Sequence, residues 1–238
     1  KKIVTKTKNQ NFLTYGFNKK ANYRIFNTVF KKNYSIFDLR INMPLSKKKI
    51  IKKIKVNLIG SYNILNSVAA IALCSYIGIN LKTIKKSLRE FAGIQRRMTR
   101  VLRSNGNDFF DDYAHHPTEI KSVIQSLKKI NPKRKIISVF QPHRYSRIKL
   151  LEKEFSFSFH SSDKLILCPV YSAGEKINKN YNEVEFAKLI AKNSNTQVIL
   201  IKGQEELNKF FKKNLLSNEL IIGMGAGSIT KWMREIII

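Results

Sequence analysis

A chain of 238 residues fits one large or two ordinary domains, and its 43% hydrophobic content gives it a sizeable core, which excludes a disordered chain. A formal net charge of +29 invites a nucleic-acid reading. The lysines, however, run along the whole sequence instead of gathering in one stripe, and they travel with the Asn, Ile and Phe that AT-rich codons supply. No nucleic-acid partner is therefore expected, while the charge favours anionic small ligands such as nucleotides.

No uninterrupted apolar run is long enough to span a bilayer and no signal peptide opens the chain, so a cytoplasmic location without a membrane partner is expected. Cys74 and Cys168 lie in apolar surroundings and read as buried free thiols. Lys1 stands first and residues 1–10 look like mid-domain sequence, so a longer protein is expected.

In chain order, residues 12–17, 23–30, 34–41 and 50–58 are rich in aromatic and β-branched residues and are separated by polar breaks and Met43-Pro44. They predict a meander of strands. Asp38 is the only carboxylate there, and no chemistry is expected of it. Gly60-Ser61-Tyr62-Asn63 then leads into a predicted helix over 64–78, with Leu65, Val68, Ala69, Ala72, Leu73 and Tyr76 at helical spacing. Gly78 supplies its stop, and a second helix follows over 81–91. By periodicity alone Asn63 and Asn66 are helix caps. FAGIQRR (91–97) reads as a hinge, with a domain boundary between 93 and 94. Its arginines suit either solvent or a phosphate, which guanidinium meets in a bidentate fork.

Beyond it, strands near 108–111, 135–140, 164–169, 197–201 and 219–223 alternate with helices near 117–130, 147–160, 183–192, 204–213 and 228–236. This alternation predicts an α/β unit, a mostly parallel sheet covered on both faces. Polar motifs follow its strands, where such sheets hold ligands. FFDDYAHHPTE (109–119) offers Asp112 as an acceptor for sugar hydroxyls or a metal, Tyr113 as a stacking ring, and His115 and His116 as imidazoles that can donate, accept or carry charge. Pro117 suits a first helical position. QPHRYSR (141–147), PVYSAGE (169–175) and GMGAG (223–227) fall on the same predicted rim. The glycine cluster approaches GxGxxG but has Ser228 in place of the last glycine, so a tight strand-to-helix turn explains it equally well. No GxxxxGK[ST], zinc spacing or nucleophile elbow occurs.

Six of these stretches, in order and across nearly the whole chain, resemble the Mur ligases: GSYNILNSVAAIA (60–72), FAGIQRRM (91–98), DDYAHHPTE (111–119), FQPHRYSR (140–147), YSAGE (171–175) and GAGSI (225–229). The resemblance implies that residues 1–93 are the latter half of the family's central α/β ATP-binding domain. Residues 94–238 would be its complete C-terminal Rossmann-like domain. The P-loop, the Mg2+ ligands and a UDP-sugar domain would lie in an N-terminal portion upstream of Lys1, and no metal ligand is assigned in this chain.

The implied activity is ligation of L-alanine to the carboxylate of UDP-N-acetylmuramate. ATP would activate that carboxylate as an acyl phosphate, in peptidoglycan precursor synthesis and hence cell-wall biogenesis, cell shape and division. This chain alone is not expected to turn over. By the same resemblance Asn63 contacts adenine, Arg97 the ATP phosphates and Asp112 the ribose, with Tyr113 and His115 beside it. His143, Arg144 and Arg147 face alanine and the reacting carboxyl. Tyr62 and Met98 stand where the family has His and Phe. The alternatives are a recycling ligase that attaches a peptide to the same sugar acid, a non-catalytic remnant, and a basic nucleic-acid-binding domain.

Overall fold

The computed structural model describes residues 12–31, 33–43 and 48–237, and the chain divides into two compact units, Lys1–Ala92 and Gly93–Ile238. The mid-domain reading of residues 1–10 and the break expected at Pro44 fall outside the described residues.

In the first unit β2 (Tyr23–Phe30), β3 (Ser35–Ile41) and β4 (Lys49–Val56) pair antiparallel, as a meander requires. The run expected as a strand over 12–17 is reduced to β1 (Tyr15–Gly16), which pairs parallel with β2. The link between them, residues 17–22, is too short for the crossover that a longer parallel ladder needs. Asp38, of which no chemistry was expected, bridges two irregularities of the sheet. The ladder shifts register on both sides of β3, where Asn27 and Lys53 adopt positive φ. Asp38 Oδ2 accepts from Asn27 Nδ2 at 2.9 Å and its Oδ1 from the Lys53 N–H at 2.8 Å, one carboxylate stapling both bulges.

Helices α1 (Ser61–Tyr76) and α2 (Leu81–Glu90) cover one face of this sheet through Ile64, Val68, Ile71 and Ile84. The buried stripe of α1 runs through Asn63, Ile64, Ser67, Val68 and Ile71, whereas Leu73 is 64% and Tyr76 76% exposed. Of the stripe read from periodicity Val68 is buried and Leu65 and Ala72 pack against the core. Its last two residues, Leu73 and Tyr76, miss because the buried face turns through Asn63 and Ser67, two polar residues that periodicity does not count. The cap is Gly60, without a side-chain bond, so Asn63 and Asn66 do not cap. Asn63 is buried and donates from Nδ2 to the Ile59 carbonyl at 2.7 Å.

The second unit opens with a strand that the pattern did not predict. β5 (Thr99–Ser104) and β6 (Asn107–Asp112) form an antiparallel hairpin across Asn105-Gly106, both at positive φ (49° and 77°). Asn-Gly is the pair that a two-residue turn of this hand demands. There follow α3 (Pro117–Ile130), β7 (Ile136–Phe140), α4 (Tyr145–Ser156), β8 (Lys164–Leu167), α5 (Glu183–Ser194), β9 (Gln197–Leu200), α6 (Gln204–Asn214), β10 (Leu220–Met224) and α7 (Ile229–Arg234). The helix expected over 147–160 thus starts and stops earlier than predicted.

The sheet order is β5-β6-β10-β7-β8-β9, with β5 alone antiparallel. The chain steps outward from β6 to β9, then returns through α6 to insert β10 between β6 and β7. Parallel crossovers are right-handed, so this reversal carries α6 to the opposite face from α3, α4 and α5. The core agrees. Phe109 meets Phe211 of α6 edge-on at 5.6 Å, while on the other face Phe140 packs against Phe155 of α4 and Phe159. Phe155 in turn meets Phe186 of α5.

At the amino ends of these strands Arg134 binds four groups at once. Its Nη1 donates to Asp108 Oδ2 at 2.6 Å, its Nη2 to the Gly106 and Glu219 carbonyls, and its Nε to the Asn218 carbonyl. Burial alone would raise the Asp108 carboxyl, but the Arg134 bond and the charges of Arg134, Arg103 and Arg100 hold it below the usual carboxylate range. Both cysteines are free. Cys168 is buried, which pushes its thiol up, whereas Cys74 is only half-buried, against expectation. Among the described residues no helix is long and apolar enough to cross a membrane.

Candidate active site at the carboxyl edge of the parallel sheet

Strand alternation sends the two carboxylates that end β6 to opposite faces. Asp112 is fully buried, its Oδ1 accepting from the Ala114 N–H and its Oδ2 from the Met98 N–H, each at 2.8 Å. Burial pushes this carboxyl up to about 6, against those two bonds and the charge of Arg97. Asp111, also buried, accepts from Thr230 Oγ1 at 3.1 Å and lies 3.9 Å from Arg234 Nη2. Desolvation raises it too.

The segment 94–98 is wrapped onto the same strand end. The Tyr113 N–H donates to the Arg96 carbonyl at 2.7 Å, and the guanidinium groups of Arg96 and Arg97 lie 4.4 and 5.9 Å from the centre of the Tyr113 ring. Arg96 Nη2 also donates to the Gly225 carbonyl at 3.0 Å.

His115 stands edge-on to Tyr113 at 5.1 Å, its Nδ1 2.8 Å from the Tyr113 carbonyl. A carbonyl can only accept, so Nδ1 carries the hydrogen, and in the neutral ring Nε2 is left as the acceptor. His116 points elsewhere. It caps α3, accepting from the Thr118 N–H, while Glu119 receives the His115 and His116 N–H groups in return. Pro117 is the first residue of α3, as read.

The β7 loop brings His143 to 6.0 Å from His115, ring centre to ring centre, and stacks it on Tyr171 of the β8 loop at 5.7 Å. Arg147 Nη1 lies 3.2 Å from His143 Nδ1. Guanidinium only donates, so here Nδ1 accepts and Nε2 carries the hydrogen. Burial, then the charges of Arg147, His115 and Arg144, lower the His143 pKa, with Glu175 acting against them. Arg144 is exposed and turns the chain at φ 69°.

Gln141, Arg96, Tyr171 and Glu175 were inside quoted motifs, yet their roles were missed. Gln141 Oε1 accepts the Ile229 N–H and its Nε2 donates to Ser228 Oγ, tying β7 to the glycine turn after β10. A Cβ on Gly227 would fall 2.5 Å from both Gln141 Oε1 and Tyr171 Cγ. This close approach accounts for Gly227, while at Gly223 an added Cβ would meet Met233.

Arg97, Asp112, Tyr113, His115, His143, Arg144 and Arg147 therefore share the carboxyl edge of the second unit. Asn63 belongs to the first unit, in the opening turn of α1 beside half-buried Tyr62. Among the described residues no group of three or more His, Cys, Asp and Glu side chains could hold a metal ion.

A doubly wound α/β unit whose reversal point is rimmed by guanidinium and imidazole groups is of the class that binds anionic ligands, nucleotides among them, at that edge. The chain belongs to the Mur ligase family: the "Mur ligase, glutamate ligase domain" matches residues 96–227 and the "Mur ligase middle domain" residues 1–74. It is 45% identical over 236 residues to the UDP-N-acetylmuramate--L-alanine ligase of Pelagibacter ubique, covering 99% of this chain and 51% of that protein. Among solved structures it is similar to the UDP-N-acetylmuramate-alanine ligase of Thermotoga maritima, with a TM-score of 0.72 and 25% identity over 94% of this chain and 46% of the other. The murein peptide ligase of Psychrobacter arcticus shares the fold, with a TM-score of 0.61 at 19% identity over 94% of this chain and 47% of the other. The chain spans about half the length of the curated relatives it matches.

Proposed function

We propose that this chain is part of an ATP-dependent, ADP-forming ligase that joins L-alanine to the carboxylate of UDP-N-acetylmuramate for peptidoglycan. Residues 1–93 would be the latter half of its central ATP-binding domain and 94–238 its C-terminal domain. The observation that carries the reading is the meeting of two motifs on one rim. His115 and His143 lie 6.0 Å apart with Arg147 3.2 Å from His143, in a chain similar to proteins named for this reaction.

The reaction forms an acyl phosphate and ADP, and the amine of alanine then attacks the acyl carbon to expel phosphate. Arg144 and Arg147 are assigned to the alanine carboxylate, which aligns the amine, and to the negative charge that builds on the tetrahedral oxygens. His143, neutral and with its hydrogen on Nε2, donates a hydrogen bond to a reacting oxygen. His115 presents the opposite nitrogen chemistry, an acceptor at Nε2, and is assigned to take the proton that the attacking amine must lose.

Arg97 is assigned to the ATP phosphates, Tyr113 to the face of the nucleotide and, in the first unit, Asn63 to adenine. Asp112 is assigned to the ribose. Because its carboxylate already holds Met98 and Ala114, we also assign it the shaping of the segment that carries Arg97. Mg2+, expected to be held by residues upstream, would neutralise phosphate charge, and no step here is routed through it.

The test uses the longer protein that contains this chain. ADP release should require both UDP-N-acetylmuramate and L-alanine, and Arg144→Ala should raise the alanine KM about tenfold or more while the ATP KM stays near normal. ADP formation independent of alanine would overturn the reading, and an unchanged alanine dependence would remove Arg144 from its role.

A further inference from the structure

The β8 loop carries YSAGE (171–175), whose glutamate has no part in the chemistry above. Helix α4 starts against three local handicaps. Its N-cap residue, Arg144, makes no capping bond and sits at φ 69°, and no acid lies in its first turn. Arg144 and Arg147 also place positive charge at the positive end of the helix dipole. A non-glycine residue at positive φ persists only where its surroundings over-determine it.

The β8 loop supplies what α4 lacks. Glu175 Oε2 accepts the Ser146 N–H at 3.1 Å, its Oε1 accepts the Ser146 hydroxyl, and the Tyr145 N–H also bonds this carboxylate. Earlier in the same loop the Tyr171 carbonyl accepts the Arg144 N–H at 2.9 Å, and the Tyr171 N–H donates to the Pro142 carbonyl at 2.8 Å. The turn bearing His143 and Arg144 is thus gripped from the β8 side at both ends.

We propose that Glu175 is a positioning residue that caps α4 from the β8 loop and holds His143, Arg144 and Arg147 in register for the amino-acid substrate. Only the identity of that substrate rests on the ligase reading. The groups facing His143 are Arg144, Arg147 and His115, all acting to lower its pKa, the stacked ring of Tyr171, and Glu175, which alone acts to raise it. The Ser146 hydroxyl bond, foremost, holds the Glu175 carboxyl below the usual range.

The experiment compares Glu175→Ala and Glu175→Gln with the unaltered 238-residue chain by NMR, following amide exchange at Tyr145 and Ser146 and the titration of His143. In Glu175→Ala the two amides should exchange about fivefold faster, as for a lost cap, and the His143 midpoint should fall. Glu175→Gln retains an acceptor, so exchange should stay near the unaltered rate while the midpoint falls as far. If the alanine variant fails to fold, the glutamine variant decides alone, and an unmoved His143 midpoint overturns the proposal. So does unchanged exchange in a folded alanine variant.

In the longer protein Glu175→Gln should raise the alanine KM severalfold with the ATP KM unchanged. If the unaltered longer protein performs no ligation, the ligase reading fails while the NMR comparison still decides on Glu175.

Discussion

At the amino ends of β6 and β10 one guanidinium, Arg134, satisfies a buried aspartate and three carbonyls. At the carboxyl ends of the same strands the same kinds of group are left wanting. Arg96 Nε and Asp111 Oδ2 are buried without a hydrogen-bond partner among the described residues, Asp112 is pushed toward its neutral form, and Arg96, Met98 and Arg144 adopt positive φ. Buried polar groups are nearly always paired, so two unpaired ones at this edge, beside a carboxyl held near its neutral form, set it apart from the Arg134 end. The saturated end ties the sheet to Arg134, and the other end is the one to which the proposed function assigns the ligands.

Removing the fastener should have the largest effect. Arg134→Ala takes the shortest ion pair from buried Asp108, leaving it Arg100 at 3.4 Å and Arg103 at 3.7 Å, and frees three carbonyls, and should cost about 3 kcal/mol in urea unfolding of the chain. A loss below about 1 kcal/mol would mean that water replaces the clamp and the two ends do not differ as described.

Acid should separate the ends next. Because the folded value of Asp112 is raised to about 6, its ionised form is disfavoured by the fold. That penalty is fully present above about pH 6 and is relieved as pH falls toward about 4, by at most on the order of 3 kcal/mol. Asp108, held low, works the other way: its stabilisation is present above the unfolded value and is lost only as pH falls through its lowered folded value. Stability measured against pH in the unaltered chain and in Asp112→Asn should therefore differ in slope over this window, and equal slopes would refute the assignment. The smallest of the three effects should come from Gly227→Ala, whose added methyl must displace Gln141 or Tyr171, at about 1–3 kcal/mol. A neutral result would show that the glycine turn can yield.

Much of the second unit was legible because its strands are short apolar runs, each followed by an amphipathic helix and a polar turn. Its motifs also follow the strands, so Asp112, His115 and His143 could be placed on one rim without coordinates. β5 escaped because Arg100 and Arg103 interrupt its alternation, although Asn105-Gly106 was the signal that could have found it. In the first unit the stripe of α1 was right at Val68 and wrong at Leu73 and Tyr76, since two of the residues facing the core, Asn63 and Ser67, are polar. The bulges around Asp38 were hidden because register shifts depend on pairing partners, which local patterns do not name. Gln141, Tyr171 and Glu175 act across loops far apart in sequence, and only the folded chain brings their partners together.

The insertion of β10 has a further consequence. During synthesis β6 through β9 leave the ribosome before the strand that belongs between the first two of them. Any sheet assembled before residues 220–224 arrive would have a vacant central lane, with the edges of β6 and β7 open to pairing with each other.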